Sequence, residues 1–554
     1  MTAKQIKNEN ASNVVSLALE TDVLVIGGGL SGTWVAWGAA SQGAKVVLVD
    51  KGYCGTSGSS APAGNGLWYV QPDPDLREQA MASREALGGF LANRQWMQRV
   101  LDQTFENINL VAEWGYPFPI DENGDPQRQS IQGPEYMRLM RKQIRRAGVE
   151  ILDHSPALEL LVDAEGRVAG ATGIQRQTGE RWTVKAGAVV IATGGCAFLS
   201  KALGCNVLTG DGYLMAAEAG AELSGMEFSN AYGLAAAFSS VTKGRFYSWA
   251  NFYYEDGTPI AGAGSHRGRS VIAKALIERP VYARLDQDGI TEEIKAWMRK
   301  AQPNFFLPFN RMGIDPFTQL FPITLRLEGT VRGTGGLRIV DSTCATSVSG
   351  LYASGDAATR ELICGAFTGG GSHNAAWAIS SGRWAGEAAA DYAQSLGDRA
   401  HQRSLRGLGE AGLRGEGQQI SPDEVVAATQ AEVFPYDRNF FRTETGLMDS
   451  LARLNTLWKE IRNSAPDSSN ILRTREAASM VATARWMYNS GLHRTESRGM
   501  HKRSDYPEQD PNQQHYLISG GLDQVWVKSA AISARNSEGT DQATSAIEKE
   551  LVLR

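Results

Sequence analysis

The fold is decided by residues 21–32, which read TDVLVIGGGLSG. An apolar, β-branched run that stops at three consecutive glycines predicts a buried parallel strand. Residues 30–40 have a helical pattern, and residues 45–49 (KVVLV) predict a second strand. The segment is therefore expected to form a βαβ unit.

Within this unit, Gly27, Gly29 and Gly32 fit the spacing GxGxxG, and Asp50 ends the second strand 18 residues after Gly32. This combination is the fingerprint of a dinucleotide-binding site. The glycines allow a tight turn and let the backbone approach a pyrophosphate at the helix N-terminus. Asp50 is expected to accept hydrogen bonds from the adenosine ribose and to disfavour a 2′-phosphate.

The composition agrees with an ordered globular protein. The chain has 554 residues and 61 glycines, where average usage would give about 39. Hydrophobic residues make up 42 % and charged residues 21 %, which excludes a disordered chain. A net charge of −5 gives no electrostatic case for binding nucleic acid, and no apolar run reaches the roughly 18 residues of a membrane span.

Cysteine usage and the N-terminus point to a cytoplasmic protein. The five cysteines are scattered without CxxC spacing, which is typical of a reduced protein and predicts no metal site. The first 20 residues are polar and lack the apolar stretch of a signal peptide. We expect them to form a short tail.

Three more glycine-rich loops follow along the chain, at residues 55–66 (GTSGSSAPAGNG), 190–195 (VIATGG) and 350–356 (GLYASGD). In this order, the four motifs resemble those of the fumarate reductase / succinate dehydrogenase flavoprotein family. That family includes L-aspartate oxidase and the adenylylsulfate reductase α subunit. The resemblance covers about residues 20–395 and, around a stretch reading RTESRG, residues 485–512. It implies an FAD-dependent oxidoreductase.

The resemblance also implies an α/β fold with a discontinuous Rossmann-like FAD-binding domain, an α+β capping domain and a C-terminal helical domain. The expected division is a tail at 1–20, the FAD-binding domain at 21–235 and 326–400, the capping domain at 236–325, a linker at 401–420, the helical domain at 421–490 and a C-terminal segment at 491–554.

Cofactor contacts carry over by position. They are Gly27, Gly29, Leu30, Ser31, Gly32, Asp50, Lys51, Ser57, Ser59, Ser60, Ala63, Gly64, Thr193, Gly194, Asp211, Gly355, Asp356, Ser372, Asn374 and Ala375. The helix that opens at Ser372 is expected to direct its N-terminal dipole at the N1/O2 edge of the flavin. Many family members bind FAD covalently through a histidine, but the matching stretch here is Ser57-Gly58-Ser59. We therefore predict noncovalent FAD.

The predicted active site keeps one family residue and lacks two others. Arg269 matches the arginine that delivers a proton in fumarate reductases; its alternative role is to clamp an anionic substrate. Val331 stands at the family's histidine and Phe367 at its substrate-binding arginine. The loss of both polar groups argues against succinate, fumarate or aspartate as substrate. Arg332 and His373 are candidates to supply charge from a different angle.

Residues 209–230 resemble the adenylylsulfate reductase branch. A second stretch, residues 239–254, contains Arg245 and Trp249 and stands where that branch supplies its substrate-binding arginine and aromatic groups. An aromatic-rich cap suits an apolar or aromatic substrate equally well. Three functions stay open. They are a dehydrogenase or reductase that passes a hydride between substrate and flavin N5, a flavin subunit that acts on a sulfur compound with a separate ferredoxin-like electron-transfer subunit, and a flavin-binding protein without turnover. Oligomerisation is also left open.

Overall fold

The computed structural model describes residues 17–121, 123–242, 244–265, 268–368, 372–400, 402–467 and 469–532. The strands are β1 (Leu17–Ile26), β2 (Val46–Val49), β3 (Gly64–Gly66), β4 (Ser130–Gln132), β5 (Glu150–Leu152), β6 (Ala157–Val162), β7 (Val168–Ile174), β8 (Arg181–Ile191), β9 (Leu223–Ser224), β10 (Ala231–Ala236), β11 (Ala250–Tyr254), β12 (Val281–Leu285), β13 (Phe321–Gly329), β14 (Gly336–Leu337), β15 (Leu351–Ala353), β16 (Arg406–Gly407), β17 (Tyr516–Gly520) and β18 (Trp526–Ala530). The α-helices are α1 (Leu30–Ser41), α2 (Pro74–Leu87), α3 (Arg94–Glu113), α4 (Gly133–Arg146), α5 (Asp211–Glu218), α6 (Arg269–Glu278), α7 (Glu292–Ala301), α8 (Pro303–Met312), α9 (Glu361–Cys364), α10 (Ser372–Leu396), α11 (Pro422–Val433), α12 (Glu444–Asn463) and α13 (Ile471–His493).

The main sheet has the order β16-β6-β7-β8-β1-β2-β5, and β15 also pairs with β8. Strands β15, β8, β1, β2 and β5 run parallel. All four residues of β2 are buried, as expected of a parallel strand covered on both faces. Strand β1 begins at Leu17, inside the segment expected to be a tail, because residues 17–20 pair with residues 182–185 of β8.

Helices α1 and α10 cross in close contact beside this sheet. A Cβ added at Gly386 would lie 2.2 Å from the carbonyl oxygen of Val35, and one added at Gly382 would lie 2.6 Å from that of Ser31. Only glycine leaves room for this approach. The packing holds the N-terminus of α10, late in the sequence, beside the glycine turn that opens α1.

The capping domain contains the antiparallel sheet β10-β13-β12-β11 together with α6, α7 and α8. Strands β10 and β13 pair with Ala231 opposite Gly329, so the sheet extends beyond the expected bounds of 236 and 325. Aromatic side chains fill its core: the rings of Phe309 and Phe321 are 4.7 Å apart, and those of Phe305 and Phe306 are 5.0 Å apart. Much of the aromatic content of this region therefore serves packing.

The segment expected to be a linker is part of the main sheet. Strand β16 pairs with β6, and the guanidinium of Arg414 forms an ion pair with Glu159 at 2.6 Å. Helices α11, α12 and α13 follow, as the helical pattern predicts, and β17 and β18 extend a small sheet with β9 and β14. In the part of the chain that the structure describes, no helix has the length and apolar character needed to cross a membrane.

Candidate active site

A cavity of about 1360 Å³ lies between the parallel sheet and the capping domain. The loops that follow β1 and β8 form its floor, at the carboxyl ends of the parallel strands where α/β folds bind ligands. Sites for single small molecules measure about 300–1,000 Å³. This cavity therefore has room for a dinucleotide and a second molecule.

Most of the predicted cofactor residues line this cavity. They are Gly27, Gly29, Leu30, Ser31, Asp50, Lys51, Ser57, Ser59, Ser60, Ala63, Gly64, Thr193, Gly194, Asp211, Asp356, Asn374 and Ala375. Gly32, Gly355 and Ser372 stand outside its lining. Gly355 has φ +62°, and a Cβ there would lie 2.6 Å from the Cβ of Ser31, so it shapes the turn rather than the wall.

The three fingerprint glycines, Gly27, Gly29 and Gly32, have different structural roles. Gly27 has φ +109°, a left-handed conformation that favours glycine. A Cβ at Gly32 would lie 1.7 Å from the carbonyl oxygen of Gly27, whereas a Cβ at Gly29 would meet no atom within 4 Å. Gly29 therefore leaves an open cradle at the N-terminus of α1, which has no side-chain cap. A pyrophosphate fits such a cradle.

Asp50 fixes the loop and faces the cavity. Its Oδ2 accepts a hydrogen bond from the Gly28 amide at 2.6 Å. Its Oδ1 accepts bonds from the Gly52 amide and the Ser57 hydroxyl, both at 2.7 Å. A carboxylate offers about four lone-pair sites, so one remains for a ribose hydroxyl.

Lys51 and Asp211 form a salt bridge with each other. Lys51 Nζ lies 2.7 Å from Asp211 and 2.6 Å from Glu476 on α13. Burial alone would lower the pKa of Lys51, but the two carboxylates outweigh it and raise that pKa. The sequence predicted Lys51 and Asp211 as cofactor contacts; the structure also makes them a link between the cavity wall and the helical domain.

Asp356 and Asn374 border the cavity where two parts of the chain meet. Asp356 forms an ion pair with the fully buried Arg360 at 2.5 Å. The Nδ2 of Asn374 donates to the carbonyl oxygen of Val331 at 3.2 Å, while its Oδ1 is buried without a partner among the described residues. An N–H group of a bound ring system would satisfy this oxygen, so the site fits a flavin at the start of α10.

His373 does not reach the cavity. It is fully buried, and its ring lies 4.6 Å from that of Trp68. Burial, followed by the nearby charge of Arg84, lowers its pKa well below the ordinary value. The side chain is therefore neutral, and its position does not support the prediction that it supplies charge to a substrate.

Arg269 lies in the cavity wall at the first position of α6. Its Nη1 donates to the carbonyl oxygen of Tyr232 at 3.1 Å and its Nη2 to that of Ser265 at 2.6 Å. Its Nε is buried without a partner among the described residues. Burial, and then the charge of Arg332, lower its pKa to about 10, against an opposing effect of Glu328.

Arg332 also lines the cavity but is paired. Its Nη1 lies 3.3 Å from Oε2 of Glu328, whose Oε1 accepts a hydrogen bond from Thr242 at 2.8 Å. Glu328 is 1 % exposed. No motif in the sequence points to Glu328, although a charged residue at the end of the mostly apolar strand β13, four positions before Arg332, was a usable signal.

Arg245 and Trp249 occupy different environments. Arg245 is exposed at the cavity rim, where its amide donates to Gln302 at 3.3 Å. Trp249 packs in the cap, with its ring 6.2 Å from Phe246 and 6.3 Å from Trp297. The structure thus brings Arg245 to the site and leaves Trp249 outside the lining.

Val331 and Phe367, the two apolar replacements, both lie in the cavity wall. Val331 is 2 % exposed and packs in a small apolar cluster with Leu208. The lining also includes Arg84 and Lys502, which the sequence analysis did not identify. They come from α2 and from the loop after α13, and nothing local in the sequence ties them to the site.

Comparisons with known proteins agree with this geometry. A family described as "FAD binding domain" matches residues 22–232, and one described as "Fumarate reductase flavoprotein C-term" matches residues 432–550. The chain is 25 % identical to a fumarate reductase (CoM/CoB) subunit of Methanothermobacter marburgensis, over 90 % of this chain and 97 % of that one. It is 24 % identical to L-aspartate oxidase of Streptomyces coelicolor, over 89 % of this chain and 90 % of that one.

Solved structures show the same fold. A variant of E. coli quinol fumarate reductase superposes with a TM-score of 0.78 at 20 % identity, covering 94 % of this chain and 98 % of that chain. Adenylylsulfate reductase from Archaeoglobus fulgidus gives 0.73 at 19 % identity, covering 95 % and 98 %. The predictions of the α/β fold and of FAD as cofactor are confirmed. The chain thus combines an FAD binding domain at residues 22–232 with a fumarate reductase flavoprotein C-terminal region at residues 432–550, and it is an FAD-dependent oxidoreductase similar to the fumarate reductase flavoproteins.

Proposed function

We propose that the protein is a dehydrogenase or reductase that moves a hydride between a small-molecule substrate and N5 of FAD, and that succinate, fumarate and aspartate are not its substrates. The observation that carries the proposal is Arg269, a buried guanidinium in the cavity wall whose Nε has no partner among the described residues. When bound, FAD supplies the two-electron hydride chemistry.

The cofactor would be held by groups already in place. The open cradle at Gly29 would receive the pyrophosphate, Asp50 the ribose, and the loop from Ser57 to Gly64 the ring system. Asn374, at the start of α10, would contribute its unpaired Oδ1. The cap residues around Arg269 would cover the substrate and exclude water.

Arg269 would hold the transferred proton. An ordinary arginine is a very weak acid because its pKa exceeds 12. Here burial and the neighbouring Arg332 lower the pKa to about 10, which brings the guanidinium closer to the range in which it can donate. Its two carbonyl contacts fix the orientation of the group without neutralising its charge.

The exclusion of four-carbon dicarboxylates rests on Val331 and Phe367. Both are apolar and both line the cavity, at the positions where the family resemblance places a histidine and an arginine. A site built to bind a polar group discriminates strongly when one partner is absent. The carboxylate that those two residues would hold has no partner from them here.

The proposal is tested on the purified holoenzyme by following the visible absorbance of the bound flavin under anaerobic conditions. Oxidised enzyme is mixed with a panel of reduced organic acids and amines, and reduced enzyme with their oxidised counterparts. Stoichiometric bleaching or recovery with one compound supports hydride transfer. Rapid bleaching by succinate would overturn the substrate exclusion, and a flavin that exchanges electrons with no compound would favour a non-catalytic role.

Substitutions at Arg269 test the proton role. Arg269→Ala should lower the rate of flavin reduction by at least about 100-fold, while Arg269→Lys should recover part of it. Arg138→Gln, which removes an exposed guanidinium on α4, is the matched control and should leave the rate unchanged. An unaltered rate in Arg269→Ala eliminates this residue as the proton carrier.

We further propose a companion electron-transfer subunit of the ferredoxin-like class. Several relatives are named as subunits of larger enzymes, among them the one from the Methanothermobacter marburgensis fumarate reductase. The companion would be identified by its iron–sulfur absorbance in protein isolated from the native cell. Isolation of the fully active enzyme as this chain alone would contradict the proposal.

A further inference from the structure

Four cations in the cavity wall are not paired with a carboxylate in the part of the chain that the structure describes. Lys51 and Arg332 are each paired. The remaining cations of the lining are Arg84, Arg245, Arg269 and Lys502. Arg245 is exposed at the rim, where water screens its charge. Arg269 belongs to the site already described, which leaves Arg84 and Lys502 without a role.

Arg84 and Lys502 line the cavity together with Phe367, and each is close in the chain to a residue bonded to Ala366. Arg84 is one turn before Gly88, whose carbonyl oxygen accepts the Ala366 amide at 2.9 Å. Lys502 is two residues after Met500, whose amide donates to the carbonyl oxygen of Ala366 at 3.0 Å. Gly88 and Met500 are therefore both hydrogen-bonded to Ala366, the residue immediately before Phe367.

Both cations are half-buried and face little compensating charge. Burial lowers the pKa of Arg84 and of Lys502, and the only opposing effect on Arg84 is the nearby Cys364. A half-buried cation without a counterion loses part of its hydration, and an anionic ligand would offset that loss. Two such cations line one cavity, from elements more than 400 residues apart in sequence, and this arrangement favours an anionic ligand.

We infer that Arg84 and Lys502 form an anion subsite that holds a carboxylate, sulfonate or phosphate group of the substrate, while Phe367 and Met500 contact an apolar part of the same molecule. The inference rests on the proposed function, because it takes the cavity as a substrate site. Position 367 has no anion-binding side chain, and the cations on α2 and in the loop after α13 would replace it. The substrate class is an organic anion that carries a charged group next to an apolar part.

The subsite is tested by binding rather than turnover. The holoenzyme is titrated with adipate and with the matched uncharged diamide adipamide, and dissociation constants are read from perturbation of the bound-flavin spectrum. Adipate should bind at least about tenfold more tightly than adipamide, because only adipate offers a carboxylate for a charge-assisted contact. Inorganic sulfate is titrated separately and in competition with adipate.

Three variants and one control isolate the contribution of the pair. Arg84→Gln and Lys502→Gln should each weaken the binding of adipate about fivefold to twentyfold and leave the binding of adipamide within about twofold. Arg84→Lys should recover part of the loss. The control Arg138→Gln, at an exposed position of α4, should leave the dissociation constants of both ligands unchanged. Flavin content and thermal melting of each variant show that the fold is retained.

Each outcome supports or overturns the subsite. Unchanged adipate binding in both Gln variants overturns it. Equal weakening of adipate and adipamide also overturns it, because an uncharged ligand makes no charge-assisted contact with the pair and its weaker binding would report a general change in the cavity. If sulfate binding depends on the pair but adipate does not compete with sulfate, the site serves a free inorganic anion and the assignment to a substrate group is wrong. If the variants weaken adipate selectively while no compound exchanges electrons with the flavin, the proposed function fails and the subsite stands.

Discussion

The change Gly29→Ala separates cofactor binding from folding. Gly29 has φ −78°, which alanine adopts without strain, and the added Cβ would meet no atom within 4 Å. The folded protein should therefore keep its stability to within about 0.5 kcal/mol. The new methyl group would instead occupy the cradle in which the pyrophosphate lies.

Overpacking a close contact costs about 1–3 kcal/mol, which corresponds to an increase in the FAD dissociation constant of about 5- to 150-fold. The assay titrates apo-protein with FAD and follows the quenching of flavin fluorescence, with a urea denaturation of the same apo-protein in parallel. Unchanged FAD affinity in Gly29→Ala would refute the assignment of the cradle.

Gly32→Ala is the matched contrast in the same motif. Its Cβ would lie 1.7 Å from the carbonyl oxygen of Gly27, a backbone atom that cannot move without shifting β1 or α1. We expect a loss of stability of about 3 kcal/mol or more in the apo-protein, together with loss of FAD binding. A fully stable Gly32→Ala protein would show that the packing of strand on helix is looser than described.

Three further outcomes follow from the same structure. Denaturation should release all of the yellow colour into the supernatant, because the cavity lining described contains neither histidine nor cysteine; colour retained in the protein pellet would mean a covalent bond. Lys51→Met should destabilise the protein by about 3–5 kcal/mol in urea, since it leaves Asp211 and Glu476 without their shared cation; Lys45→Met, which removes an exposed lysine bonded to a backbone oxygen, should cost far less. Burial, and then Glu227, raise the pKa of Glu361 from 4.5 to about 8, so stability should fall as the pH rises through that window; Glu361→Gln should flatten this part of the profile, and an unchanged profile would remove Glu361 as its cause.

The βαβ unit was predictable because its signals are local. The apolar run 21–26, the glycine turn and the strand before Asp50 each depend on neighbouring residues, and the sequence predicted all three. The other cofactor loops were predicted from the family resemblance, and strand positions agree with them. Each follows a strand, and the carboxyl ends of parallel strands lie at one edge of the sheet.

The features that could not be predicted from the sequence depend on contacts between residues far apart in the chain. Residues 401–420 looked like a linker because they are rich in glycine, yet Arg414 pairs with Glu159, 255 positions earlier. Lys51 looked like a cofactor contact, and its partner Glu476 lies on α13. The placement of His373 followed from the packing of Trp68, which no local pattern encodes. Glu328 and Lys502 likewise gain their roles only from the tertiary fold.

The contact between α1 and α10 has a consequence for the order of events during synthesis. A ribosome that has completed the chain only through β13 has made the glycine turn, Asp50 and the whole cap, but neither Asp356 nor α10. The nascent chain then holds one half of the cofactor pocket and lacks the helix that closes the other half. We therefore expect a nascent chain that ends at β13 to retain FAD poorly, because Asp356 and the start of α10 have not yet been made.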